Sequence, residues 1–203
     1  MESTVILKNY DSVGEVNLSE VWRYAGYKGI PDEASEESQR LKKLLQETAG
    51  DFTFRVCFTT LPTKDADGCL PFASLKAMGR TSLQVEKLVA DCDEMVLFAA
   101  TIGTAFERKI AKYTRLEPAS ALLLHALGAE RVEALADYFD KEFGKKHTPR
   151  FSPGYGDLPL EAQRDFFAYL NPEKNIGVTL GENLLMSPQK TITALFGIKK
   201  ETL

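Results

Sequence analysis

What this sequence has little of narrows its chemistry first. Its 203 residues include two histidines, His125 and His147, and three cysteines, Cys57, Cys69 and Cys92, with no CxxC pair. Structural zinc sites and thioredoxin-like centres use closely spaced thiol or imidazole ligands, so neither these nor a multi-histidine metal site is supported. Three widely spaced cysteines fit buried or free thiols in a reducing compartment better than a disulfide framework. Basic charge is also scarce, with 25 Lys and Arg against 29 Asp and Glu and a net charge of −4. Nucleic acid is held by clustered cations that neutralise phosphates, and the pairs Lys145-Lys146 and Lys199-Lys200 are too short to serve as basic arms. The longest apolar run, Met95 to Ala100, falls far short of the roughly 20 residues that cross a bilayer. The first residues lack the basic-then-apolar pattern of a signal peptide. The expectation is a cytoplasmic protein with neither nucleic acid nor membrane as partner.

What is present is ordinary globular composition, 44% apolar and 27% charged. There is no internal repeat, low-complexity tract or long linker, so 1–203 reads as one domain. After a loose start, Asn17 to Tyr24 reads as a short helix capped by Asn17 or Ser19, and Glu33 to Thr48 as a second with Leu41, Leu44 and Leu45 inward. Phe52, Phe54, Val56 and Phe58 alternate with polar neighbours, which predicts a half-buried strand. Met95 to Ala100 is continuously apolar, which predicts a central strand covered on both faces. One or two short helices are expected between Ser74 and Cys92, and others from Gly103 to Tyr113, Pro118 to Leu127, Glu130 to Phe143 and Glu161 to Leu170. Short strands at Ile176 to Leu180 and Lys190 to Phe196 complete a pattern that points to an α+β or mixed domain.

The most unusual stretch is Pro149-Arg-Phe-Ser-Pro-Gly-Tyr-Gly-Asp157. Pro153 pre-sets its own φ, and Gly154 and Gly156 tolerate positive φ, so backbone groups can be turned outward beside one guanidinium. Such a loop can hold a planar ring through its backbone while Arg150 grips a carboxylate with two parallel bonds. It can equally be a surface turn with Arg150 in a structural ion pair. Neither a dinucleotide fingerprint nor a channel filter fits, because the third glycine and any membrane span are missing. Thr101-Ile-Gly-Thr104 reads either as a plain strand-to-helix turn or as an anion site. His125 reads as a packed core or cap histidine before a cobalt ligand, and Asp157 as a cap for the helix that follows it.

Arg150-Phe-Ser-Pro-Gly-Tyr155 resembles the Arg-x-x-x-Gly-Tyr motif of the reactivation domain of cobalamin-dependent methionine synthase. Leu180-Gly-Glu-Asn-Leu-Leu-Met-Ser-Pro188, followed by Thr191-Ile-Thr193, resembles that family's L-T-E-S-x-A-M-x-P segment. Val132 to Phe139 resembles its helix before the binding loop. The match spans about 94–198, with a helical part at about 1–50, where Trp22 to Gly29 resembles stand-alone bacterial versions. The resemblance implies an α+β domain with a bent, mainly antiparallel sheet flanked by helices.

It also implies a site for S-adenosylmethionine built from Arg150, Ser152, Pro153, Gly154 and Tyr155, with Arg150 on the methionyl carboxylate. Glu182 and Met186 are expected to be mainly structural. The implied reaction is reductive methylation of oxidised cobalamin carried by a partner. That partner is a methionine synthase lacking its own reactivation domain, or another corrinoid protein, served by a flavodoxin- or ferredoxin-type electron donor. Such chemistry needs no general acid or base, so the chain is expected to act only within that complex. The family's early acidic ligand contact has two candidates here, Asp11 and Asp32. Its late aromatic pair has no counterpart after Phe196 as far as Leu203, so a weaker site, or one completed by the partner, is expected. A docking or chaperone module that no longer binds S-adenosylmethionine, and an independent methyltransferase, are the alternatives.

Overall fold

A computed structural model describes residues 4–199; Lys200 of the second lysine pair, and Leu203, lie outside the described residues. Four strands form one antiparallel sheet: β1 (Ile6–Tyr10), β2 (Phe54–Pro62), β3 (Cys92–Thr101) and β6 (Thr191–Lys199), in the order β1-β2-β3-β6. A separate two-stranded ribbon joins β4 (Thr179–Leu180) to β5 (Met186–Ser187).

The period of two along each strand divides the core into two. Phe54, Val56, Phe58, Val96, Phe98, Ala100, Ala194 and Phe196 face one helical layer. That layer is α1 (Leu18–Tyr24), α2 (Glu36–Thr48), α5 (Thr104–Leu116) and α6 (Pro118–Phe143). Cys57, Leu61, Met95, Leu97, Ala99 and Leu195 face the other side. There they meet α3 (Ala73–Ala77), α4 (Leu83–Leu88), α7 (Gln163–Leu170) and α8 (Pro172–Ile176). All six side chains from Met95 to Ala100 are completely buried. Each of the larger ones contributes about 1.5–3 kcal/mol of gross burial energy, which is why this strand forms the spine of the sheet.

The α+β arrangement of helices around an antiparallel sheet matches the expectation, with local differences. The stretch expected to be loose before α1 contains a strand, since Ile6 to Tyr10 pair with Phe58 to Phe54 at the sheet edge. β2 is covered on both faces, so its half-buried assignment was too exposed. The second helix begins at Glu36 because the Ser35 hydroxyl accepts from the Ser38 amide and so sets the cap. The two helices expected between Pro118 and Phe143 are one helix of 26 residues. Gly128 does not interrupt it, because the missing side chain leaves room for Phe106 and Lys190. α8 follows Asn171, a left-handed residue that turns the chain after α7.

Candidate functional site

The edge of the sheet sets the position of Arg150. Residues 147–151 run along the free side of β6, with Phe151 and Leu195 exchanging backbone bonds of 2.8 Å in both directions. Thr148 donates its amide to the Gly197 carbonyl at 2.9 Å, and its hydroxyl accepts from the Gly197 amide at 2.8 Å. Phe151 packs into the core under α7. Arg150, its neighbour in this extended segment, pairs with α6 on the opposite face of the sheet, as alternation requires.

Three carboxylates on α6 meet that guanidinium. Nη2 lies 2.8 Å from Asp137 Oδ1 and 3.3 Å from Glu133 Oε2, and Nη1 lies 3.1 Å from Asp140 Oδ2. Positions 133, 137 and 140 follow the i, i+4, i+7 stripe of one helix face. Burial pushes the carboxyl groups of Glu133 and Asp140 above the ordinary carboxylate range, and the attraction of Arg150 only partly opposes it. Arg150 Nη1 and Asp140 Oδ1 are buried without a hydrogen-bond partner among the described residues. Nη1 is thus held to Asp140 Oδ2 by charge at 3.1 Å and not by an aligned hydrogen bond.

A cavity of about 410 Å³ opens beside Arg150. One wall is the segment from Val13 to Tyr24, contributing Val13, Glu15, Asn17, Glu20 and Tyr24. The opposite wall is α6, contributing Glu130, Glu133, Ala134, Asp137, Tyr138 and Lys141. Its size is within the range of small-molecule sites. Its charge is predominantly negative, and the rings of Tyr24 and Tyr138 supply flat surfaces.

The rest of the Arg150 loop is placed elsewhere. Ser152, Pro153, Gly154 and Tyr155 are not on the cavity wall. The Gly154 amide donates to Leu158 O at 2.9 Å and the Tyr155 amide to Ser152 O at 3.3 Å, so both donors are used inside the loop. Gly154 has φ +87° and Gly156 φ +54°, and a Cβ on Gly156 would overlap the Gln84 side chain. Both glycines are thus required by the turn. Tyr155 is 69% exposed, with its ring outside the core.

Asp157 does not cap the following helix. It accepts from the Ser82 hydroxyl at 2.5 Å and the Gln84 amide at 3.2 Å, capping α4 from across the fold. Thr101 to Thr104 is a strand-to-helix turn in which the Gly103 amide donates to the Thr101 hydroxyl. His125 lies exposed on α6 rather than packed in the core. Met186 packs against the second core and accepts from Gln163 Nε2 at 3.8 Å, which is a structural setting. Neither Asp11 nor Asp32 lines the cavity; the early segment supplies Glu15 and Glu20 instead. No group of three or more His, Cys, Asp or Glu is arranged to hold a metal ion among the described residues. No described helix is long and apolar enough to cross a membrane.

No family model and no curated protein matches this sequence. A solved structure does: the crystal structure of the MetH reactivation domain bound to AdoHcy superposes with a TM-score of 0.71. It is 15% identical, and the alignment covers 98% of this chain and 80% of that one. The fold is that of the MetH reactivation domain. At this identity the likeness to the MetH domain speaks for architecture, and the chemistry of the cavity has to be argued from its own residues.

Proposed function

We propose that this chain binds S-adenosylmethionine in the acidic cavity beside Arg150 and presents its methyl group for the reductive methylation of oxidised cobalamin on a partner protein, after a donated electron has returned the cobalt to cobalt(I). One observation carries the reading. The arginine singled out by the sequence motif lines a ligand-sized cavity, in a chain with the fold of a domain that holds AdoHcy.

The residues present fit the ligand. S-adenosylmethionine carries an ammonium, a sulfonium and one carboxylate, so it needs an acidic wall with a single strong anion contact. Glu15, Glu133 and Asp137 supply negative charge, and Arg150, itself paired with Asp137, Glu133 and Asp140, is the cation on that wall beside α6. Arg150 holds the carboxylate end, the α6 carboxylates attract the cationic groups, and Tyr24 and Tyr138 offer surfaces for a planar base. When bound, S-adenosylmethionine supplies an electrophilic methyl group to cobalt(I) of the reduced corrinoid. The chain's own part is orientation and exclusion of water, and it needs no acid or base for this. The partner is a cobalamin-dependent methionine synthase without a reactivation domain of its own, or another corrinoid protein. Its electrons come from a flavodoxin- or ferredoxin-type donor.

The test mixes this chain, a partner holding oxidised cobalamin, S-adenosylmethionine and a reductant. The methylcobalamin absorption spectrum is expected only when the chain is present. Equal methylation without it defeats the reading.

A second reading, a docking or chaperone module without ligand affinity, has its own support. Arg150 is engaged by three carboxylates, and the amides of Gly154 and Tyr155 are consumed within the loop. Calorimetric titration separates the two, since only the first expects S-adenosylmethionine to bind the isolated chain.

A further inference from the structure

We propose that Arg131 is a positioning residue for this cavity: it latches the wall formed by residues 13–17 to α6. The inference rests on the S-adenosylmethionine reading of the site.

Arg131 and Glu130 are 3% and 5% exposed, adjacent on α6, and joined by two bonds, Nε to Oε2 at 2.5 Å and Nη2 to Oε1 at 2.7 Å. The remaining capacity of both side chains is spent on one distant segment. Arg131 Nη1 donates to Gly14 O and Nη2 to Glu15 O, each at 2.8 Å. Glu130 Oε1 accepts from the Asn17 amide at 3.0 Å. Asn17 in turn caps α1, its side chain accepting from the Glu20 amide at 3.3 Å.

Val13 and Val16 pack on the core beside α6, and these bonds fix the backbone between and around them. Residues 11–17 belong to neither a strand nor a helix, and Gly14 sits at φ +88°. Yet Val13, Glu15 and Asn17 line the cavity, as do Glu20 and Tyr24 of the helix that Asn17 starts. Val21 and Trp22 pack α1 against α6, and the Glu130–Arg131 pair fixes the backbone of residues 14–17 that leads into α1. A buried ion pair is a poor source of net stability, because desolvation offsets its attraction; what it supplies well is a defined geometry. The planar fork of arginine reaches two carbonyls and a carboxylate together, which a lysine ammonium cannot reproduce. Arg131 itself does not line the cavity, so its influence on a ligand passes through the segment it holds.

Arg131→Lys keeps Glu130 paired and gives up the carbonyl contacts. Glu130→Gln with Arg131→Met removes both buried charges and leaves neither unpaired. Each variant is compared with the unaltered chain by titration with S-adenosylmethionine, at temperatures where circular dichroism shows full folding, and by hydrogen exchange. The expected result is an affinity about tenfold or more weaker, together with faster exchange at the Asn17 amide and unchanged exchange in β3. Unchanged affinity in both variants, with the unaltered chain binding, overturns the positioning role alone. No binding by the unaltered chain defeats the S-adenosylmethionine reading, and the positioning role with it.

Discussion

Arg150 stands in a field of surplus negative charge, and that surplus governs what its removal does. A charged bidentate contact contributes about 2–3 kcal/mol, so Arg150→Met is expected to weaken S-adenosylmethionine binding by roughly 30- to 150-fold, measured by calorimetry. The same cluster gives a pH signature. Burial holds the carboxyl of Asp140 above its ordinary value, so the folded state keeps a proton that the unfolded chain releases. That contribution to stability is complete below the unfolded pKa and is lost as pH rises through the folded one. The melting temperature of the unaltered chain should therefore fall relative to Asp140→Asn as pH is raised from acid towards neutral; a difference independent of pH refutes this. Arg150 stood out in the sequence beside Pro-Gly-Tyr-Gly, a setting that left both a ligand grip and a structural ion pair open, and the structure shows the ion pairs. Its three partners did not stand out, since acidic residues at i, i+4, i+7 on a helix usually mark a solvated face. Only the strand edge formed by 147–151 brings them to the arginine.

At the level of elements, α6 joins the cavity to the core, and its close packing against Phe106 and Lys190 depends on Gly128. Glycine within a helix costs about 1 kcal/mol relative to alanine, so Gly128→Ala would stabilise an isolated helix. Here an added Cβ comes 2.7 Å from Phe106 Cε1 and 3.0 Å from Lys190 Cγ. Lysine can move, but Phe106 is fully buried and stacked on Phe52 at 4.7 Å, so it cannot. Overpacking of this kind costs about 1–3 kcal/mol and outweighs the gain. Denaturant unfolding should show Gly128→Ala destabilised, and a more stable variant would mean that Phe106 has room to give. The same glycine explains why sequence reading split α6 into two helices, as local propensity cannot see a neighbour that demands the gap. β1 was missed for a related reason. Ile6 and Leu7 are both about half exposed at the sheet edge, so no alternation marks the strand. β3 and the capped helices were legible, because their signals are local.

Across the whole molecule, the proposed function makes the balance of charge in the cavity the factor that selects the form of the ligand. Glu130 is neutralised by Arg131 and Glu20 by Arg23, leaving Glu15, Glu133 and Asp137, with Asp140 behind them, against Lys141 and Arg150. The excess is negative. S-adenosylmethionine carries a sulfonium charge that its demethylated thioether lacks, while the two share every other group. An added positive charge near such a wall gains about 1–2 kcal/mol after allowing for its lost hydration, which is roughly a five- to thirtyfold preference for the methylated ligand. Transfer of the methyl group would then weaken the hold on what remains, so that release follows the chemistry without a separate conformational step. Because the cavity is open to solvent on one side, ions screen this attraction, and the preference should narrow as salt rises from about 0.01 M to about 1 M. Parallel titrations with the two ligands across that range test the argument. Equal affinities at low salt would show that the acidic wall is satisfied internally and does not read the ligand's charge.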